Sequence, residues 1–234
     1  MHELSLARRA TAEGVGTAFL VATVVGSGIA AQQLSPGDTG LQLLENSIAT
    51  GAVLVALILA FGAVSGAHFN PVVTMADRLL GGMPTRDAGV YVVAQVVGAC
   101  IGAMVANVMF ELSAIDVSTN DRSSGAHWLA EVVATFGLLL VILGVVRAGR
   151  ASTAAFAVGA YIAAAYWFTS STSFANPAVT VGRSLTNTFA GIAPASVPGF
   201  VIAQIVGALL AVALALFVFP GVPAADLVLP HDQP

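Results

Sequence analysis

Apolar residues gather into six blocks along the chain, roughly Arg9–Ala31, Leu43–Val64, Val90–Phe110, Trp128–Val146, Ala151–Phe168 and Val197–Phe219. Each approaches the ~20 residues that a helix needs to cross the hydrocarbon core of a bilayer. The pattern therefore predicts an all-α membrane protein with six transmembrane helices. Between the blocks lie turn-forming or polar stretches, among them Ser35-Pro36-Gly37-Asp38 and Ser113–Ser124.

Two further polar interruptions, after the second and fifth blocks, are near copies of each other. One reads His68-Phe69-Asn70-Pro71-Val72-Val73-Thr74, with Ser65-Gly66-Ala67 before it; the other reads Phe174-Ala175-Asn176-Pro177-Ala178-Val179-Thr180. Asn is a favoured N-cap, and Pro suits the first helical position because its missing N–H would have been unpaired there. Each copy is predicted to be a loop that turns into a re-entrant half-helix, with its positive end at the Asn. At membrane depth, non-helical backbone persists only where protein buries it or water lines it. Two such half-helices in corresponding places point to a solute pathway.

The duplication extends further. Ala12-Glu13-Gly14-Val15-Gly16-Thr17-Ala18 is echoed by Ala130-Glu131-Val132-Val133-Ala134-Thr135-Phe136, and Tyr91–Ala99 aligns with Phe200–Ala208. The chain thus divides into two repeats, about 8–112 and 126–219, within one channel domain over 1–220. Three spans per repeat is an odd number, so the second repeat must insert upside down. The half-helices then enter from opposite faces, with their positive ends meeting near the midplane. The duplication also argues against reading the first thirty or so residues as a cleaved signal, which has no reason to recur. The stretch 221–234, rich in Pro, is expected to be a disordered cytoplasmic tail.

Composition sharpens this picture. A hydrophobic fraction of 57%, a charged fraction of 9% and a mean hydropathy of +0.91 place the chain in the bilayer. Lys is absent, and Arg8, Arg9, Arg78, Arg86, Arg147 and Arg150 all fall on the N-terminal side, against Arg122 and Arg183 on the other. Positive residues favour the cytoplasm, which predicts that both termini lie there. A net charge of −4 without a basic patch leaves nucleic-acid binding nothing to rest on. The single Cys100 excludes an internal disulfide or a Cys metal cluster, and no cofactor is called for.

The paired Asn-Pro boxes, with Ser65-Gly66-Ala67-His68 before the first, resemble those of the aquaporins and aquaglyceroporins, the major intrinsic proteins, over nearly the whole chain. The resemblance implies the aquaporin fold, a homotetramer with one pore per subunit in a bacterial inner membrane, and a channel for small neutral solutes. It makes Asn70, Pro71 and Val72 one box and Asn176, Pro177 and Ala178 the other; Val72 departs from the usual Ala. Two Asn amides donating to one passing water would turn its hydrogens outward and interrupt a proton wire. In most members an Arg directly follows the second box and forms part of an outer constriction. Here that position is Val179. Carrying over the other constriction positions by spacing gives Thr50, Ala164 and Ser173, a small-sided, uncharged ring without an aromatic residue, His or Arg. A wider aperture than a water filter is expected. The stretch through Gly191–Pro198 and the Val in place of Arg are similar to a branch associated with arsenic resistance, which adds arsenous acid to water and glycerol-like polyols as expected solutes.

Arg183 lies four residues beyond Val179 on the same helix face, about 6 Å further along the axis. Its readings are a vestibule charge that partly substitutes for the missing Arg, or an ion pair or helix-end charge. Glu13 and Glu131 are carboxylates inside spans, a costly placement. They fit either a proton-relay or metal role, with His127 one turn before Glu131, or acceptance of hydrogen bonds from loop backbone. The resemblance supports the loop-supporting role, and His68 is read the same way, as loop packing. Competing classes are a mainly water-selective pore, a secondary transporter, which would need more intramembrane charge, and a membrane enzyme, for which no nucleophile–base pair is evident.

Overall fold

Residues 4–218 are described in this computed structural model, and they form eight α-helices without a β-strand. Six are long and apolar enough to cross a membrane: α1 (Leu6–Leu34), α2 (Thr39–Ser65), α4 (Thr85–Met109), α5 (Gly125–Arg147), α6 (Ala154–Phe168, entered through a 3-10 turn from Ala151) and α8 (Val197–Val218). The helices begin up to five residues before the apolar blocks, because capping and turn residues such as Asp38 and Ser124 close their first turns outside the apolar stretch. The expected tail lies outside the described residues.

The two interruptions become α3 (Pro71–Leu80) and α7 (Pro177–Gly182). Asn70 caps α3 by accepting from the Val72 N–H, and Asn176 caps α7 by accepting from the N–H groups of Ala178 and Val179. Pro occupies the first turn in both. The approach loops are bent alike: Ala67 and Phe69 in one, Ser173 and Ala175 in the other, all adopt φ near +50°. That conformation is strained for residues with a Cβ, and it persists only where surroundings over-determine it.

The repeats pack by the same device. α4 crosses α1 and α8 crosses α5, with Gly98 against the Gly14 carbonyl and Gly207 against the Val132 carbonyl. Either Gly, given a Cβ, would collide with that backbone, so close approach requires it. Large apolar side chains such as Phe19, Val93, Ile202 and Phe217 are exposed on the outside, while Val21, Phe69, Leu139 and Ala178 fill the interior. In water this exposure would be prohibitive; against lipid tails it costs nothing.

Candidate transmembrane channel

Glu13 and Glu131 explain how the strained loops are held. The Glu13 carboxylate accepts from Ser65 Oγ (2.6 Å), the backbone N–H of His68 (2.9 Å) and Phe69 (2.6 Å), and Gln95 Nε2 (2.8 Å). Glu131 repeats this set with Ser171 Oγ (2.6 Å), the N–H of Phe174 (2.9 Å) and Ala175 (2.8 Å), and Gln204 Nε2 (2.6 Å). Gln95 and Gln204 pass on to Thr74 and Thr180 of the half-helices, each at 2.9 Å. Both carboxylates are fully buried, and every donor in these sets would otherwise face an apolar medium. Of the readings open in the sequence, the loop-supporting one matches the geometry. His127 instead bonds Ser124 Oγ and the Arg122 carbonyl through Nδ1.

The loops lock onto each other as well as onto the spans. Asn70 Nδ2 donates to the Ala175 carbonyl and Asn176 Nδ2 to the Phe69 carbonyl, both at 2.8 Å. An amide nitrogen has two hydrogens, so each Asn retains one donor after this exchange. Both Asn side chains line one cavity that opens to solvent. Along α6 its wall runs from Ala154 through Val158 and Ile162 to Tyr166, about 18 Å at 1.5 Å per residue.

The remaining expected residues divide. Thr50, Ser173 and Val179 line the cavity at its Tyr166 end. Pro71 and Pro177 open their half-helices, whereas Val72 and Ala178 are buried in the apolar core away from the cavity, so Val72 bears on helix packing. His68 lines the cavity wall and places Nδ1 3.1 Å from Thr74 Oγ1 and Nε2 3.6 Å from Asp77 Oδ2.

One expectation about the ring needs correction. Ala164 is exposed on the outer surface and does not line the cavity. Tyr166 takes the place, with its hydroxyl 3.1 Å from Thr50 Oγ1. Two residues turn a helix by about 200°, so these side chains point opposite ways. The helical series Val158, Ile162, Tyr166 was the signal that could have found it. Arg183 adds a charge to the same cavity. Arg183 is 2% exposed and lines the same cavity as Val179, with its Cζ 3.4 Å from the Phe174 ring centre and Nε donating to the Ala190 carbonyl. Of its readings the helix-end charge fits, since Arg183 is the C-cap residue of α7; the ion pair does not, because among the described residues no carboxylate lies within salt-bridge distance.

The polar stretch Ser113–Ser124 folds over this end. Asp116 and Ser118 donate their N–H groups to the carbonyls of Leu185 and Ser184, and Arg122 Nε donates to the Gly191 carbonyl at 3.0 Å. Asp121 accepts from the Ser123 N–H and the Ser196 hydroxyl, which holds its carboxyl below the usual range.

Comparison with known proteins agrees with this architecture. The family model described as "Major intrinsic protein" matches residues 1–173. The chain is 52% identical over 214 residues to "Aquaglyceroporin AqpS" of Rhizobium meliloti, covering 92% of this chain and 91% of that one. It is 32% identical over 235 residues to "Aquaporin AqpM" of Methanothermobacter marburgensis, covering 89% and 96%. Among solved structures, the aquaglyceroporin from Plasmodium falciparum superimposes with a TM-score of 0.71 at 22% identity, covering 96% of this chain and 100% of that one; this likeness concerns the fold.

Proposed function

The chain belongs to the major intrinsic protein family of membrane channels, and we propose that it is a passive channel for small neutral solutes, namely water, glycerol-like polyols and arsenous acid. The observation that carries this reading is the cavity running past Asn70 and Asn176, with an amphipathic wall. Leu20, Val24, Val158 and Ile162 supply the apolar side, and Thr50, Ser173 and the Asn amides supply the polar groups. A polyol presents carbon to one side and hydroxyls to the other, which such a wall accommodates.

The spare N–H of each Asn donates to the same passing oxygen. A water held this way has both of its hydrogens directed away from the pair, so it cannot relay a proton along the file. In this proposal the two boxes thereby exclude protons while letting neutral solutes through. The Ala154 end faces the cytoplasm of a bacterial inner membrane with the termini, the Tyr166 end faces outward, and four copies assemble with one pore each.

A mainly water-selective pore is the second reading, favoured by Tyr166 and Arg183, which bring an aromatic ring and a charge to the Thr50 end. Proteoliposomes separate the two. Glycerol flux well above that of protein-free vesicles supports the first, whereas water flux alone supports the second.

A further inference from the structure

Arg183 is nearly buried yet makes one hydrogen bond, from Nε to the Ala190 carbonyl. Its two terminal nitrogens have no protein partner among the described residues, and the side chain borders the cavity. Arg122 stands over the same Phe174 ring, with its Cζ 5.1 Å from the ring centre, and its side chain donates only to the carbonyls of Gly191 and Ser171. Glu131, which holds this loop, already has both oxygens filled by four donors. Two guanidinium groups thus stand over one ring, Arg183 at the cavity and Arg122 beside it, without an ion-paired carboxylate among the described residues.

A second feature of the same wall is unexplained by the fold. Ser173 Oγ is buried, lines the cavity and has no hydrogen-bond partner, whereas the hydroxyls of Thr50 and Tyr166 satisfy each other. A buried cation and a buried lone hydroxyl are both costly until something fills their valences. A planar guanidinium with its terminal nitrogens free matches a carboxylate or similar oxyanion through two parallel bonds. Phe174 and Val179 leave the remaining contact surface apolar, which suits a ligand with a small hydrocarbon part or none.

We propose that Arg183 and Ser173 form a binding site for small monovalent oxyanions of the size of formate, at the Tyr166 end of the cavity. The inference rests on reading the cavity as the solute path, since an occupant there would obstruct neutral solutes. Cations are repelled from the same place by the same charge.

The test uses formate as the probe and gluconate, too bulky for the site, as the reference salt at equal ionic strength. For the purified full chain in detergent, formate raises the unfolding midpoint saturably and gluconate does not. Arg183→Gln weakens the apparent affinity by about tenfold or more, the loss of one charge-assisted bond. Arg183→Lys retains the charge without the fork and falls between. Ser173→Ala, which leaves the guanidinium in place, weakens binding about 2- to 10-fold and keeps the proposal testable should Arg183→Gln fail to fold. In proteoliposomes, formate slows glycerol flux through the wild-type chain and not through Arg183→Gln. Equal midpoints in both salts, or unaltered formate affinity in the folded variants, would overturn the site. Absence of any glycerol flux would count against the channel reading alone, because the binding measurement does not depend on transport.

Discussion

Replacing Glu131 by Gln exchanges a single oxygen for an NH₂ group and tests how the channel loops are held. The amide preserves one acceptor position and places an NH₂ group at the other. Set at Oε2, it opposes the Ala175 N–H and the Gln204 amide; set at Oε1, it opposes the Ser171 hydroxyl and the Phe174 N–H. Ser171 can rotate and Gln204 can flip, but a backbone N–H cannot turn away, so at least one stays opposed to another donor in either setting. One lost bond to a charged acceptor costs about 1.5–3 kcal/mol, and the surviving bonds weaken from charge-assisted to neutral, giving roughly 3–5 kcal/mol in all. That is a large share of a typical stability of about 5–15 kcal/mol, and for a chain of this size it lowers the unfolding midpoint by roughly 10 °C. The strained Ser173 and Ala175 backbone is then free to relax, so solute flux falls with stability. Thermal unfolding in detergent and glycerol flux in proteoliposomes would be measured together, with Glu13→Gln as the symmetric control. A midpoint within about 2 °C of wild type, with flux intact, would refute the clamp.

Other consequences concern the Tyr166 end. Val179→Arg puts a second cation one helical turn from Arg183 and fills space on the wall, so glycerol flux falls more than water flux; equal proportional losses would contradict the assignment of Val179. Tyr166→Ala removes the largest group facing Thr50 and should raise flux for polyols larger than glycerol, whereas Ala164→Leu, on the outer surface, leaves the solute profile unchanged. Because the folded pKa of Asp121 is lowered, its hold on Ser123 and Ser196 is complete above the ordinary Asp range near 3.9 and is lost as pH falls through the lower folded value. The protection of the Ser123 amide, its exchange relative to the intrinsic rate at each pH, should therefore stay constant around neutral pH and fall only in strong acid; a fall near pH 6 would show that another group controls this loop.

Most of the fold was legible because its determinants are local or duplicated. Six apolar blocks each long enough to span leave few alternatives, and Asn70 with Asn176, like Glu13 with Glu131, occupy matching places in both halves. A lone buried Glu is ambiguous; two that meet the same four kinds of donor are not. Spacing failed where the chain stops being a helix. Counting back from Asn176 to Ala164 crosses the break after Phe168, where Thr172 and Ser173 adopt positive φ, so residue number no longer maps to angle around α6. Arg183 ends α7 as one of its readings held, but its burial was not legible. Its long side chain lies back over Phe174, and this reach offsets the turn of helix that separates it from Val179. Sequence separation fixes where a backbone goes, not where a flexible cation finds a carbonyl and an aromatic face.

Passive conduction is tested most simply by stopped-flow light scattering on proteoliposomes containing the purified chain, with water, glycerol and arsenous acid compared against protein-free vesicles. A passive channel for neutral solutes gives fast flux of all three, unchanged by an imposed proton gradient. Flux confined to water, or uptake that follows the proton gradient, would contradict it.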